Sequence, residues 1–408
     1  MRCIFIVGDG MADQPLQELD FKTPIEAVNA QAMNRLVHKG ALGLLNPISP
    51  GVVPGSDTAN LAFLGYNPDA VCEGRGPFEA AGAGLQLKDG DLAFRCNFVT
   101  ANESLCLVDE RAGRICGVEA KVLGETVEQI ELKVHSDVEV YFRQSLGFKA
   151  ALVLRGDDLS SNVSKFLPIN GSRVAAVMPL DGSFEAKRTA EVLNEFVQLT
   201  IQALKFHPVN VKREAINKRP ANAVLPWSGG RKPCMMSFQD KYGLKASCVA
   251  AVSLIKGIGK LSGMDVPDVL GATGEQDTDT LAKANAALAA FREGKDFVYV
   301  HVEAADEASH DGDVAGKIAV IKKIDALVGR ILDSVDLSDT IVVLAPDHVT
   351  SCISRMHTCD AVPVCFAGAN VISDDVTVYS ERSAYKGGLK NISGKDIMPM
   401  VLNYMGRS

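Results

Sequence analysis

Residues 296–303, Asp-Phe-Val-Tyr-Val-His-Val-Glu, run directly into Ala-Ala-Asp306-Glu-Ala-Ser-His310. The first piece is a short apolar run rich in β-branched and aromatic residues, which reads as a buried strand. The second places a carboxylate and an imidazole at i and i+4. If residues 304–310 are helical, both side chains share a face and can chelate one cation. A strand that ends in such residues points to an open α/β sheet, whose ligands bind beyond the carboxyl ends of the strands.

Two more strands end the same way. Residues 2–7, Arg-Cys-Ile-Phe-Ile-Val, lead into Gly8-Asp9-Gly10, and residues 340–345 lead into Pro346-Asp347-His348. Each motif alone is an ordinary turn or surface pair; their joint order carries the argument. Three strands would deliver acidic or imidazole groups to one sheet edge. Asp347 and His348 are adjacent, so in a turn they either diverge or share one metal. His357 follows nine residues later. Mixed carboxylate and imidazole donors suit Mn²⁺ or Zn²⁺, whereas all-oxygen sites favour Mg²⁺ or Ca²⁺.

A nucleophile is also legible. The loop Gly51-Val-Val-Pro-Gly55 feeds Ser56-Asp-Thr-Ala-Asn-Leu-Ala-Phe, with Ser56 at or near the N-cap of a helix. A serine hydroxyl is a poor nucleophile until a base or metal stabilises its alkoxide. Paired metals can do that for phosphoryl transfer, and a helix N-terminus favours the anion.

Composition sets the bounds. The chain has 408 residues, 47% hydrophobic and 23% charged, as in an ordinary globular protein of two or three domains. Its formal net charge of -8 argues against nucleic-acid or anionic-membrane partners. No apolar run reaches the ~18 residues of a membrane helix, and the short apolar start does not read as a signal peptide. A cytoplasmic location is expected. The ten scattered cysteines form no CxxC pair and read as free thiols.

Along the chain, a helix is expected over Thr23–His38, with Pro24 at its first position. From about Tyr66 to Trp227 the texture changes. Strands are expected at Leu92–Thr100, Leu105–Asp109, Gln129–Leu132, Val138–Phe142 and Ala150–Leu154, and helices at Gly117–Leu123 and Ala186–Leu204. The Pro/Gly-rich stretch Leu225–Pro233 reads as a linker. The α/β alternation then resumes with strand Ala246–Val252 and helices Thr278–Glu293, Ala315–Val335 and Gly394–Asn403. His301, inside a strand, reads as a satisfied histidine of the core or one standing behind the ligands, rather than as a ligand itself. Lys256-Gly-Ile-Gly-Lys260 lacks the spacing of a P-loop.

The segments Gly8-Asp9-Gly10-Met11-Ala12-Asp13, Pro54-Gly55-Ser56-Asp57-Thr58-Ala59-Asn60, Gly74-Arg75-Gly76-Pro77-Phe78-Glu79, His301–His310 and Pro346-Asp347-His348 together resemble the archaeal-type cofactor-independent phosphoglycerate mutases. That family lies in the alkaline phosphatase superfamily, and the resemblance covers nearly the whole chain. It implies an α/β, alkaline phosphatase-like core with a mixed, mostly parallel sheet flanked by helices. The core would be residues 1–66 plus 232–408, interrupted by a smaller α/β substrate-binding domain at 67–231.

The resemblance also implies roles. Asp9, Ser56, Asp347 and His348 would surround one divalent metal, and Asp306, His310 and His357 a second. Mn²⁺ is the first choice, with Zn²⁺, Mg²⁺ or Co²⁺ as alternatives. Lys245 would face the transferring phosphate. Arg75 and Arg155 would contact substrate, and Asp157 would exchange protons with the glycerate hydroxyls. The implied activity interconverts 3-phosphoglycerate and 2-phosphoglycerate through a phosphoserine, without added bisphosphoglycerate. The substrate is a small phosphorylated molecule; neither nucleic acid nor membrane is involved, and a homo-oligomer is compatible.

Three departures fall in or beside the inserted segment. The family usually has arginine where this chain has Trp227, Tyr-Arg where it has Phe148-Lys149, and acidic residues where it has Lys165-Phe166-Leu167. A weakened phosphate clamp keeps an alternative open: a related metal-dependent phosphotransferase or phosphatase acting on another small phosphorylated or phosphonate metabolite.

Overall fold

In a computed structural model, residues 1–164, 171, 174 and 176–407 are described. Lys165, Phe166 and Leu167 lie outside them. The chain divides into two compact units. One comprises Met1–Val71, Met235–Ile255 and Gly259–Ser408; the other comprises Cys72–Cys234 and Lys256–Ile258.

The first unit is built on a seven-stranded sheet. Its order is Lys390–Ser393, Gly40–Asn46, Val362–Ala367, Thr340–Ala345, Arg2–Gly8, Phe297–Val302, Ala246–Val249. Val362–Ala367 is antiparallel to both neighbours, and the other neighbouring pairs are parallel. The three central strands Thr340–Ala345, Arg2–Gly8 and Phe297–Val302 are buried along nearly their full length. That explains their continuous apolar runs: a parallel strand covered on both faces has no polar side to alternate.

The helices follow from local chemistry. Thr23 and Glu26 form a capping box around Pro24 in the first turn, as the sequence reading of Pro24 requires. The expected single helix over 23–38 is instead two, Pro24–Val28 and Gln31–Val37, because Asn29 adopts φ 51 and ends the first. Helix Val314–Leu332 buries Val320, Ile321, Ile324, Leu327, Val328 and Ile331 on one stripe.

The second unit holds an antiparallel sheet. Strand Leu92–Ala101 pairs with Leu107–Asp109, Lys149–Arg155 and Ala223–Arg231, and Glu139–Gln144 pairs with Lys149–Arg155. Helix Phe184–Leu204 contributes Val192, Leu193, Phe196 and Leu204 to a core with Phe94, Phe98, Phe142 and Leu152. Two expectations are corrected here. Gln129–Leu132 is not a strand. Leu225–Arg231 is not a linker but part of the strand beside Leu92–Ala101, with a register shift between Ala93 and Arg95 absorbing the irregularity. Gly229 is required there by packing: a Cβ would sit 2.2 Å from the Phe94 ring.

Candidate active site

The carboxyl ends of the three central strands supply the donors. Asp9 follows Arg2–Gly8, and its backbone N–H donates to Val302 O at 2.9 Å, which ties the first loop to the neighbouring strand. Phe297–Val302 leads into helix Ala304–Asp311, which puts Asp306 and His310 on one face. Thr340–Ala345 leads into Asp347 and His348. The chain then folds back as a two-residue hairpin, Val349 opposite Thr358 and Thr350 opposite His357. This return brings His357 home across the nine-residue gap.

Besides a group of Asp9, His301 and Glu303, whose donor atoms lie close enough to share an ion, two donor sets come from the residues that the sequence singles out. In one, the Nε2 atoms of His310 and His357 each lie 3.4 Å from a different oxygen of Asp306. In the other, His348 Nε2 lies 3.2 Å from Asp9 Oδ1 and 3.6 Å from Asp347 Oδ1. Ser56 Oγ is 3.2 Å from the same nitrogen. The His348 and His357 rings stack with centroids 3.7 Å apart, so the two sets adjoin. Asp306, His310 and His357, and likewise Asp9, Asp347 and His348, offer donor atoms close enough to share one ion.

The electrostatics call for cations. Burial pushes the Asp9 carboxyl well above the usual carboxylate range, and Asp347, Glu303 and Asp306 crowd it with like charge. Both Asp9 carboxylate oxygens are buried and lack a hydrogen-bond partner among the described residues. A buried carboxylate left so is costly unless something positive sits against it. Asp306 behaves differently. Burial would raise it, but the His310 and His357 imidazoles outweigh burial and hold it well below the ordinary range. In return His310 rises to about 9 despite its burial, through its pairing with Asp306. Burial carries His348 the other way, to about 4.

Ser56 opens helix Ser56–Phe63, with Gly55 as its N-cap and Thr58 Oγ1 accepting from Gly55 N at 3.0 Å. Asn60, one turn on, donates to Ser56 O at 2.7 Å and to Asp347 Oδ2 at 2.9 Å, and Tyr299 donates to Asn60 Oδ1. A carbonyl and a carboxylate only accept, which fixes the way the Asn60 amide faces, and one buried side chain pins the serine's helix to the Asp347 carboxylate. Asn60, Tyr299 and Thr350 were not legible as site residues, because their roles depend on contacts between distant segments.

Gly10 packs closely against the donors. It has φ +59, and a Cβ there would lie 2.6 Å from Thr350 Oγ1 and 2.8 Å from both Cα and Cβ of Asp306. Its N–H donates to Asp347 Oδ1 at 3.1 Å. Gly10→Ala is therefore expected to displace Asp306 and Thr350 and to lower kcat by about 10²-fold, the scale of an ångström-sized misplacement. Steady-state kinetics with a thermal-unfolding control check this.

Two expectations change. Lys245 does not join the donors. It precedes the edge strand Ala246–Val249, and its backbone pairs with Asp296 and Phe297. It thus precedes the amino end of Ala246–Val249, whereas the donors follow the carboxyl ends of the central strands. A residue just before a parallel strand is carried to the wrong edge for this site. His301 stands beside the site, with Nε2 3.3 Å from Asp9 Oδ2, but it is not satisfied: both ring nitrogens are buried without a hydrogen-bond partner among the described residues.

Arg75, Arg155 and Asp157 belong to the second unit. Arg155 is fully engaged there, with a two-pronged pairing to Asp91 at 2.8 and 2.7 Å and bonds to Tyr141 Oη and Gln86 O. Arg75 N donates to Ser228 Oγ at 2.9 Å, and Asp157 is exposed. Trp227 lies under the Arg95 guanidinium, 4.6 Å from ring centroid to Cζ, and donates to Asn97 Oδ1 at 3.3 Å.

A hydroxyl beside two sets of carboxylate and imidazole donors, all at the carboxyl edge of a mostly parallel sheet, is the arrangement of divalent-metal-dependent α/β enzymes. Comparison with known proteins makes the class specific. Residues 38–210 match the family model described as 2,3-bisphosphoglycerate-independent phosphoglycerate mutase. The protein of that description, numbered 1, from Methanothermobacter thermautotrophicus is 44% identical over 408 residues, covering 100% of this chain and 98% of its own length. A solved protein of Pyrococcus horikoshii superposes with TM-score 0.83 at 34% identity, covering 100% of this chain and 98% of its own. The cofactor-independent phosphoglycerate mutase of Thermoplasma acidophilum superposes with TM-score 0.64 at 29% identity, with 100% of both chains covered. The chain belongs to the 2,3-bisphosphoglycerate-independent phosphoglycerate mutases, which are isomerases.

Proposed function

We propose that this chain interconverts 3-phosphoglycerate and 2-phosphoglycerate through a phosphoserine on Ser56 at a two-metal site. The observation that carries the reading is Ser56 Oγ, 3.2 Å from His348 Nε2 and beside two adjoining donor sets. Asp9, Ser56, Asp347 and His348 would hold one divalent cation and Asp306, His310 and His357 the other. The orphaned oxygens of Asp9 fit such a group. The donor mixture favours Mn²⁺, with Zn²⁺, Mg²⁺ or Co²⁺ as alternatives. When bound, the cations supply positive charge to the reacting hydroxyl and to the transferring phosphoryl group.

The chain's own residues do the rest. Ser56 presents its oxygen at the head of an eight-residue helix. The free N–H groups of that first turn face phosphoryl oxygens with their partial positive charge. Asn60 holds the serine's turn against Asp347, so the nucleophile is positioned before substrate arrives. As the Ser56 oxygen bonds to phosphorus, the bond from phosphorus to the glycerate oxygen breaks. Ser56 would attack as its alkoxide. The freed glycerate oxygen takes up a proton, and the other glycerate hydroxyl gives one up. The Ser56–phosphorus bond breaks as the phosphoryl group passes to that oxygen, which leaves the Ser56 alkoxide as it began. We assign this proton exchange to Asp157. Arg75 and Arg155 are assigned substrate contacts, Arg155 with its guanidinium held against Asp91. The second unit, residues 67–231 in the sequence reading, is assigned to substrate handling, and a cytoplasmic location fits this metabolism. Among the described residues no helix is long and apolar enough to cross a membrane.

A different phosphorylated substrate is the second reading, favoured by Trp227 and its stacking on Arg95. Purified protein reconstituted with Mn²⁺ separates the two. Turnover of 3-phosphoglycerate without bisphosphoglycerate, well above that of a panel of phosphomonoesters, is expected. Preference for another ester would overturn the mutase reading.

A further inference from the structure

The three histidines of the donor sets all turn Nε2 toward the carboxylates, and each holds an oxygen at Nδ1. For His310 that oxygen is Arg355 O at 2.8 Å, and for His357 it is Pro54 O at 2.9 Å. A carbonyl only accepts, so Nδ1 must carry the proton and Nε2 must be the ligating nitrogen. His348 is different. Its Nδ1 meets the hydroxyl of Thr350 at 3.0 Å, and a hydroxyl can donate or accept. That contact alone leaves the tautomer open, and in the other tautomer Nε2 carries the proton and has no lone pair to turn toward a metal.

The ambiguity is removed from the other side. Thr350 Oγ1 donates to Asp306 Oδ1 at 2.7 Å. The one hydroxyl proton is thereby spent on the carboxylate of the other donor set. Thr350 can then only accept from His348, which fixes the proton on Nδ1 and leaves Nε2 free. The hydroxyl has little room to turn elsewhere. Thr350 is fully buried, and Gly10 packs so closely that even a methyl there would come within 2.6 Å of Oγ1. Its backbone is also held: the buried Lys317 ammonium donates to Thr350 O at 2.8 Å, to Ala12 O at 3.0 Å and to Asp13 Oδ2 at 2.8 Å.

We propose that Thr350 is the positioning residue that joins the two metal sets, its single hydroxyl orienting Asp306 in one and setting the tautomer of His348 in the other. This rests on the two-metal reading above. Removal of that hydroxyl must then weaken both sets together. A residue that merely filled space, or that served one ligand, would not do so.

The test is a Mn²⁺ titration of the metal-stripped full chain by calorimetry, comparing wild type with Thr350→Val, which keeps the shape, and Thr350→Ser, which keeps the hydroxyl. Wild type is expected to bind two ions. Thr350→Val is expected to lose affinity at both by about 10–100-fold, as when an outer hydrogen-bond partner of a metal ligand is removed. Thr350→Ser is expected to recover most of it. Wild-type affinity in Thr350→Val, or weakening of only one of two ions, overturns the proposal. Failure of wild type to bind two ions instead overturns the two-metal reading. Should Thr350→Val not fold, nitrogen NMR of metal-free wild type decides: a proton on His348 Nδ1 is expected, and one on Nε2 overturns the proposal.

Discussion

Ser56→Ala is expected to lower mutase turnover by about 10⁴-fold or more, the scale on which removal of a covalent nucleophile acts. The variant should still fold. The helix start does not depend on the Ser56 hydroxyl, because Thr58 Oγ1 serves the Gly55 N–H. The Asn60 bonds run to the Ser56 carbonyl and to Asp347, neither of which the substitution removes. Stability should therefore change by no more than about 1 kcal/mol, within the range of a single hydrogen bond. The Asp306, His310 and His357 set does not include Ser56, so that ion should bind as in wild type. Steady-state assays in both directions, with calorimetric metal binding as the control, read all three outcomes. The combination matters: a dead variant that has lost its fold or both metals says nothing about a phosphoserine.

Metal removal is the second large effect. Exhaustive chelation is expected to abolish activity, and a divalent cation to restore it. Stability should fall as well. Asp9, Glu303, Asp306 and Asp347 crowd one region, and it is burial together with that crowding that lifts the Asp9 carboxyl. Two unit charges ~4 Å apart interact by about 4 kcal/mol at an intermediate effective dielectric. Bound cations turn that repulsion into attraction. By linkage, an ion at a hundredfold excess over its Kd adds about 2.7 kcal/mol per site. Two sites together would raise the unfolding midpoint by on the order of 10 °C in a domain of this size. Differential scanning calorimetry of stripped and Mn²⁺-loaded protein measures it. Equal midpoints and undiminished activity after stripping would remove the metals from the account.

The legible part of the fold lies where strands are continuous. Phe297–Val302 and Thr340–Ala345 are buried on both faces, so sequence marks them without ambiguity, and the residues just beyond them must reach the carboxyl edge. Asp9, Asp306, His310, Asp347 and His348 were readable for that reason. His357 needed the two-residue hairpin opposite Thr350, which has no periodicity to detect. Strand direction likewise places Lys245 before the amino end of its strand, opposite the donors.

Elsewhere the sequence misled through proline and glycine. Pro226, Gly229 and Gly230 look like a linker, yet they pair along Leu92–Ala101, and Gly229 is there to admit the Phe94 ring. What pattern could not reveal are the residues that act through others. Gly10, Asn60, Tyr299 and Thr350 come from four separate segments and converge only in the fold. Their hydrogen bonds decide how the readable donor side chains are held.

The central claim is that Ser56 carries the phosphoryl group between the two glycerate oxygens. Mass spectrometry of Mn²⁺-loaded protein, acid-quenched during turnover, tests it most directly. Phosphate is expected on the peptide containing Ser56, whether turnover starts from 3-phosphoglycerate or from 2-phosphoglycerate, and is expected to be absent in Ser56→Ala. An active enzyme whose Ser56 peptide carries no phosphate from either substrate would contradict it.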